Sequence, residues 1–204
     1  MLEEDRYFTI AGPAEATFRE RGSRFLAYAW PVRSEEEVKP LLDALRKRYH
    51  DATHHCYAWR LGAGSDEQSR MNDDGEPAGT AGRPILGQMM SRGVTNLLVV
   101  VVRYFGGTKL GVPGLIAAYK ESAAAALERA QVVERTVDVQ ISVTFPYLAM
   151  NEVMRAVKES KPEIAAQHFD NICRMELTIR RSREAELTAR LKKIEGVQTA
   201  TRNS

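Results

Sequence analysis

Across the last third of the chain, apolar and polar positions alternate. Val137, Val139, Ile141, Val143 and Phe145 are separated by Asp138, Gln140, Ser142 and Thr144, a period of two that predicts a strand with one wet face. Pro146 ends it. Met150, Val153, Met154 and Val157 then recur at helical spacing as far as Glu159, before Lys161-Pro162 breaks the helix. Ile164 to Phe169 reads as a second strand, turned by Asp170-Asn171. Cys173, Met175, Leu177 and Ile179 alternate with Arg174, Glu176, Thr178 and Arg180 as a third. Ser182 is placed to cap a helix striped by Leu187, Leu191 and Ile194 and stopped by Gly196, with Val197 to Thr201 as the last strand. The order βαββαβ is the split ferredoxin-like unit, one antiparallel sheet with both helices on its apolar face.

The first two-thirds follows another pattern. Thr17 to Glu20 and Arg24 to Trp30 flank Gly22-Ser23 as two strands. Ser34-Glu-Glu-Glu37 has capping-box spacing, ahead of a helical stripe of Val38, Leu41, Leu42, Leu45 and Tyr49. Pro40 lies beyond the first turn, where it removes a hydrogen bond and favours a kink. Thr53 to Arg60 reads as a strand, Leu61 to Gln68 as a loop, and Thr80 to Arg92 as a helix. Leu97 to Val102 is a β-branched run predicted to be buried on both faces, and Leu115 to Ala130 is an alanine-rich helix. The fold class is therefore α+β. The boundary falls near Glu134-Arg135, giving domains of 1–134 and 135–204, closely joined because no low-complexity linker separates them.

Composition narrows the class. The 204 residues are 44% hydrophobic and 27% charged, which excludes gross disorder and collagen-like order. The longest apolar run, Leu97 to Val102, is far too short for a transmembrane helix. An acidic start, Met1-Leu-Glu-Glu-Asp5, is not a secretory signal, and two distant cysteines, Cys56 and Cys173, are not a disulfide framework. A cytoplasmic location is expected. Net charge is +2, all of it in residues 136–204, where Arg180, Arg181 and Arg183 cluster. Such a cluster either tracks a phosphate backbone or is simply a solvated helix start.

Three segments carry candidate chemistry. In Asp51-Ala-Thr-His-His-Cys-Tyr-Ala-Trp59, strand geometry puts His54 and Cys56 on one face and His55 and Tyr57 on the other. They do not converge on one ion, no CxxC or HExxH spacing occurs, and no bound zinc is expected. In Asn72-Asp-Asp-Gly-Glu-Pro-Ala-Gly-Thr-Ala-Gly82, the carboxylates of Asp73, Asp74 and Glu76 share one loop. They either hold Mg²⁺ or tune one another for acid–base work, or they satisfy turn amides while Thr80 or a neighbour caps the next helix. In Arg103-Tyr-Phe-Gly-Gly-Thr-Lys-Leu-Gly-Val-Pro-Gly-Leu115, glycines let the backbone approach an anion, and a helix start beyond them, near Gly114, offers free amides. Arg103 and Lys109, both expected at the surface, would add cations, and Tyr104 or Phe105 a stacking ring. Neither the P-loop nor the GxGxxG spacing fits, and the alternative is a loop that only needs positive φ angles.

His54-His-Cys-Tyr-Ala-Trp59, Asp73-Asp-Gly-Glu-Pro-Ala-Gly-Thr-Ala-Gly82 and Arg103-Tyr-Phe-Gly-Gly-Thr-Lys-Leu-Gly111 together resemble the signature of the IMPACT family, in its bacterial YigZ/YvyE branch. The resemblance implies an N-terminal α/β domain of the kind shared by RNase PH and the second domain of a small-subunit ribosomal protein. It also implies a C-terminal domain similar to the ferredoxin-like one of elongation factor G. The RWD domain of eukaryotic members, with its role in starvation-kinase signalling, is not expected here. Pro113 and Ala117 depart from the family pattern of glycine and of lysine or arginine at those positions.

The expectation is a non-catalytic protein modulating translation, whose partner is RNA, the ribosome or a protein of the translation machinery. No membrane partner, cofactor or metal is expected. Anion contact falls to Arg103, Tyr104, Gly106, Gly107, Lys109 and Gly111. A family-motif cleft joins His54, His55, Asp73, Asp74, Gly75, Glu76, Gly79 and Thr80, so the two loops should be neighbours. The alternatives are a metal-dependent hydrolase using Asp73, Asp74, Glu76 and His54, and a protein-interaction module.

Overall fold

The computed structural model describes residues 5–203. The chain divides into two compact units between Arg135 and Thr136, with Asp5 and Arg6 grouped with the second. The first contains β1 (Arg6–Ile10), β2 (Ala14–Glu20), β3 (Ser23–Pro31), α1 (Glu35–Arg48), β4 (His54–Leu61), β5 (Gln68–Asn72), α2 (Gly82–Ser91), β6 (Leu97–Tyr104), α3 (Gly111–Arg129) and β7 (Val132–Thr136). Five strands form one antiparallel sheet in the order β2-β3-β6-β4-β5, and β1 pairs with β7.

The run Leu97 to Val102 is wholly buried because the sheet is covered on both sides. One face packs Phe25, Ala27, Cys56, Ala58, Val99 and Val101 under Ile85 and Met89 of α2 and Leu115, Ala118, Tyr119 and Ala123 of α3. The other packs Tyr28, Tyr57, Trp59, Leu98, Val100 and Val102 under Val38, Leu42 and Leu45 of α1. Each buried Leu or Val contributes roughly 1.5–3 kcal/mol, so β6 anchors both layers.

Three differences from the expected elements have local causes. β5 occupies part of a stretch without apolar alternation, because all five of its residues are exposed and backbone pairing to β4 alone defines it. α3 starts at Gly111 rather than Leu115, with Pro113 in its first turn, where a missing N–H costs nothing. At α1, Glu37 reaches the amide of Arg33 at 3.0 Å instead of closing the box on Ser34, and Pro40 is accommodated inside the helix.

The second unit is the βαββαβ arrangement. β8 (Asp138–Pro146), α4 (Met150–Ser160), β9 (Glu163–His168), β10 (Ile172–Arg180), α5 (Arg181–Leu191) and β11 (Gln198–Asn203) form an antiparallel sheet ordered β11-β8-β10-β9. Its apolar face meets Val153, Val157, Leu187 and Leu191. Ser182 lies inside α5 and does not cap it. Asp5 does: its carboxylate accepts the Ser182 amide at 2.8 Å and the Ser182 hydroxyl, a negative charge where the helix dipole favours one.

A chain of residues 6–136 keeps every strand of the first unit and both tryptophans, Trp30 and Trp59. It is expected to give a cooperative thermal transition in near-UV circular dichroism. Aggregation of every such fragment would place the boundary elsewhere.

Candidate nucleic-acid interface

The strand ladders decide which motif residues meet. Arg103 at the end of β6 stands opposite Phe25 on β3 and His54 on β4, facing α2 and α3. It is only 5% exposed. Its Nη1 donates to Glu76 Oε1 at 2.6 Å, and Tyr119 Oη donates to the same oxygen at 2.7 Å. His54 Nε2 lies 3.7 Å from that oxygen. The guanidinium sits 5.5 Å from the Phe25 ring centroid and 5.7 Å from that of Phe105. Cys56 Sγ is 3.0 Å from the Asp73 carbonyl and 3.3 Å from Tyr119 Oη. Burial pushes both the Cys56 thiol and the Tyr119 phenol well above their ordinary values, so both stay protonated.

The two loops do meet, but Arg103 is not the surface cation the sequence suggested. The burial that makes it a partner for Glu76 takes it away from solvent.

The acidic loop is turned inward too. Asp73 Oδ1 accepts the amides of Ala81 and Gly82 at 3.0 and 2.8 Å, and Oδ2 accepts that of Gly79 at 2.8 Å. Asp73 is therefore the cap of α2, whereas Thr80 bonds the Pro77 carbonyl. Burial alone would raise the Asp73 carboxyl, but the three amides outweigh it and hold it below the ordinary range. Asp74 Oδ2 accepts the His55 amide at 2.6 Å, and its carbonyl lies 2.7 Å from His54 Nδ1. Gly75 supplies the positive φ, 87°, at which the loop turns beside that ring. His55 points to the opposite face of β4, where burial lowers its pKa. Among the described residues no three His, Cys, Asp or Glu side chains converge on a common point.

What faces solvent is the segment after Arg103. Tyr104 donates to Asp51 Oδ1 at 2.8 Å and lies under the Arg24 guanidinium, 4.6 Å from the ring centroid. Phe105 is 49% exposed, Gly106, Gly107 and Lys109 are exposed, and no side chain caps α3 where it begins at Gly111. Gly106 touches the β2–β3 turn so closely that a Cβ on it would lie 1.9 Å from the Gly22 carbonyl carbon. This contact fixes the turn beside the loop. A concavity of about 550 Å³ results, lined by Arg19, Glu20, Arg21, Gly22, Arg24 and Tyr104.

Sequence reading missed those arginines because they come together only when β2 and β3 pair. It also missed Tyr119, whose signal was one large polar residue in an alanine-rich stripe. In the second unit, Arg180 precedes α5, and Arg181 and Arg183 lie in its first turn beside the capping Asp5.

A two-unit α+β chain with a buried Arg–Glu pair beneath an exposed glycine loop defines the class. The Impact N-terminal domain matches residues 21–127, and the chain belongs to the IMPACT family. It is 34% identical to IMPACT family member YvyE of Bacillus subtilis over 80% of this chain and 75% of that one. It is 31% identical to IMPACT family member YigZ of Escherichia coli over 89% of each. A crystal structure of a hypothetical protein superposes with a TM-score of 0.72 and 28% identity over 96% of both chains.

Proposed function

We propose that this chain is a non-catalytic, RNA- or ribosome-associated protein that modulates translation in the cytoplasm. The observation that carries this reading is the split within the family motifs. Asp73, Glu76 and Arg103 are committed to one another's loops and to backbone amides. Phe105, Gly106, Gly107 and Lys109 instead stand in solvent ahead of α3 and its uncapped amides. Uncapped amides with a lysine suit a phosphodiester, and an exposed ring suits a base. The translational setting is supported by family membership, through the ribosomal and elongation-factor folds it implies, which is an analogy of fold. No described helix is long and apolar enough to cross a membrane.

The full chain is expected to bind RNA with a strong salt dependence and to cosediment with ribosomes at low salt. Lys109→Ala should flatten the slope of log K against log salt by about 0.7–0.9, the share of one phosphate contact. Its melting temperature should not change, because Lys109 is exposed. Absence of both RNA binding and cosedimentation would defeat the reading.

A further inference from the structure

The β2–β3 hairpin holds three cations that the reading above does not use. Its ladder sets Arg19 directly opposite Arg24, and like charges in that position repel. The turn between them is Arg21-Gly22, with φ of 44° and 81°. Two positive φ angles suit the twist of a hairpin but favour Asn or Gly at the first position, so an arginine there is strained. All three arginines are exposed. Glu20 is the one carboxylate among the residues lining the concavity, 3.7 Å from Arg21 Nε in an exposed pair that contributes little. Asp51 is bound to Tyr104, whose ring lies beneath Arg24. Among the described residues, Glu20 and Asp51 are the carboxylates placed beside these three arginines, and an external anion offsets the repulsion that remains.

We infer that this concavity binds the phosphates of single-stranded RNA. Arg19, Arg21 and Arg24 take the backbone, for which forked guanidinium groups are suited, and Tyr104 forms the floor. Phe105, pinned beside the turn by the Gly22–Gly106 contact, stacks the adjoining base. One side of its ring lies toward the Arg103 guanidinium, and the residue is half exposed, which leaves area for a base that is already unstacked. Such bases are offered by single strands and loops, not by a duplex. The inference rests on the RNA reading above and adds the hairpin arginines to Lys109 as its principal cations.

The test uses the full chain and a labelled single-stranded RNA 20-mer of mixed sequence, titrated across a range of salt concentrations. Arg19→Gln/Arg21→Gly/Arg24→Gln is expected to flatten the log–log slope by about 2, at about 0.7 per contact, and to weaken binding roughly tenfold or more at fixed salt. Arg21→Gly alone should give about a third of that slope change with no loss of melting temperature, because glycine relieves the turn. Phe105→Ala should weaken binding roughly tenfold with the slope unchanged. Arg180→Gln/Arg183→Gln should leave the slope as it is. The inference is overturned if the triple variant keeps wild-type affinity and slope, if duplex RNA of equal length binds as tightly, or if poly-glutamate of equal charge displaces the RNA. A wild-type chain that binds no RNA would overturn the broader reading as well.

Discussion

Arg103→Ala is expected to lower the free energy of unfolding by about 3–5 kcal/mol, the usual effect of removing one partner of a buried ion pair. The Glu76 side chain is 4% exposed, and without Arg103 its charge keeps the Tyr119 hydroxyl as a donor and His54 Nε2 at 3.7 Å, but no fixed cation at hydrogen-bond distance. The loss also empties the space between the Phe25 and Phe105 rings. The measurement is a urea titration, read as a lower midpoint at an unchanged slope. Arg103→Met combined with Glu76→Gln should recover much of the loss, because no uncompensated charge is then buried. A single-variant loss below about 1 kcal/mol would mean that water reaches Glu76 and that the pair behaves as a surface bridge.

Asp73→Ala should cost about 2–3 kcal/mol, combining the loss of a helix cap, about 1 kcal/mol, with at least one amide left without an acceptor. The effect depends on pH, with a definite sign. The folded-state pKa of Asp73 is depressed, so its contribution is fully present above the unfolded-state value of about 3.9 and is lost as pH falls through the lower folded value. The stability gap between wild type and Asp73→Asn should therefore be constant from neutral pH down to about 5 and should narrow below about 4. A gap independent of pH would show that the carboxylate charge plays no part in the cap. A gap that widens in acid would reverse the sign.

The second unit was legible because its two central strands alternate cleanly: Val139 to Phe145 and Cys173 to Ile179 are buried at every second position. β5 was not legible, since an exposed edge strand leaves no periodic mark. β1 and β7 were missed as well, being short pieces joined only by pairing between distant parts of the chain. In the candidate site, the opposition of His54 and His55 followed from strand geometry alone. The roles of the charged groups did not. Glu76 is 27 residues from Arg103 and 43 from Tyr119, and no local pattern separates a carboxylate aimed at them from one aimed at water. A glycine loop beside an arginine resembles an anion cradle in sequence, and only the facing of β6 shows that this arginine is already occupied.

The Asp5 cap on α5 has a consequence for the order in which the protein is made. The amide that Asp5 serves is made 177 residues after it. At synthesis rates of about 5–20 residues per second, that interval is on the order of ten to thirty-five seconds. The five-stranded sheet has all its strands well before then and can condense while the chain is still growing. The second unit cannot finish on that schedule. The Asp5 carboxylate has no helix end to cap until Ser182 is made, so a late step of this unit joins segments 177 residues apart.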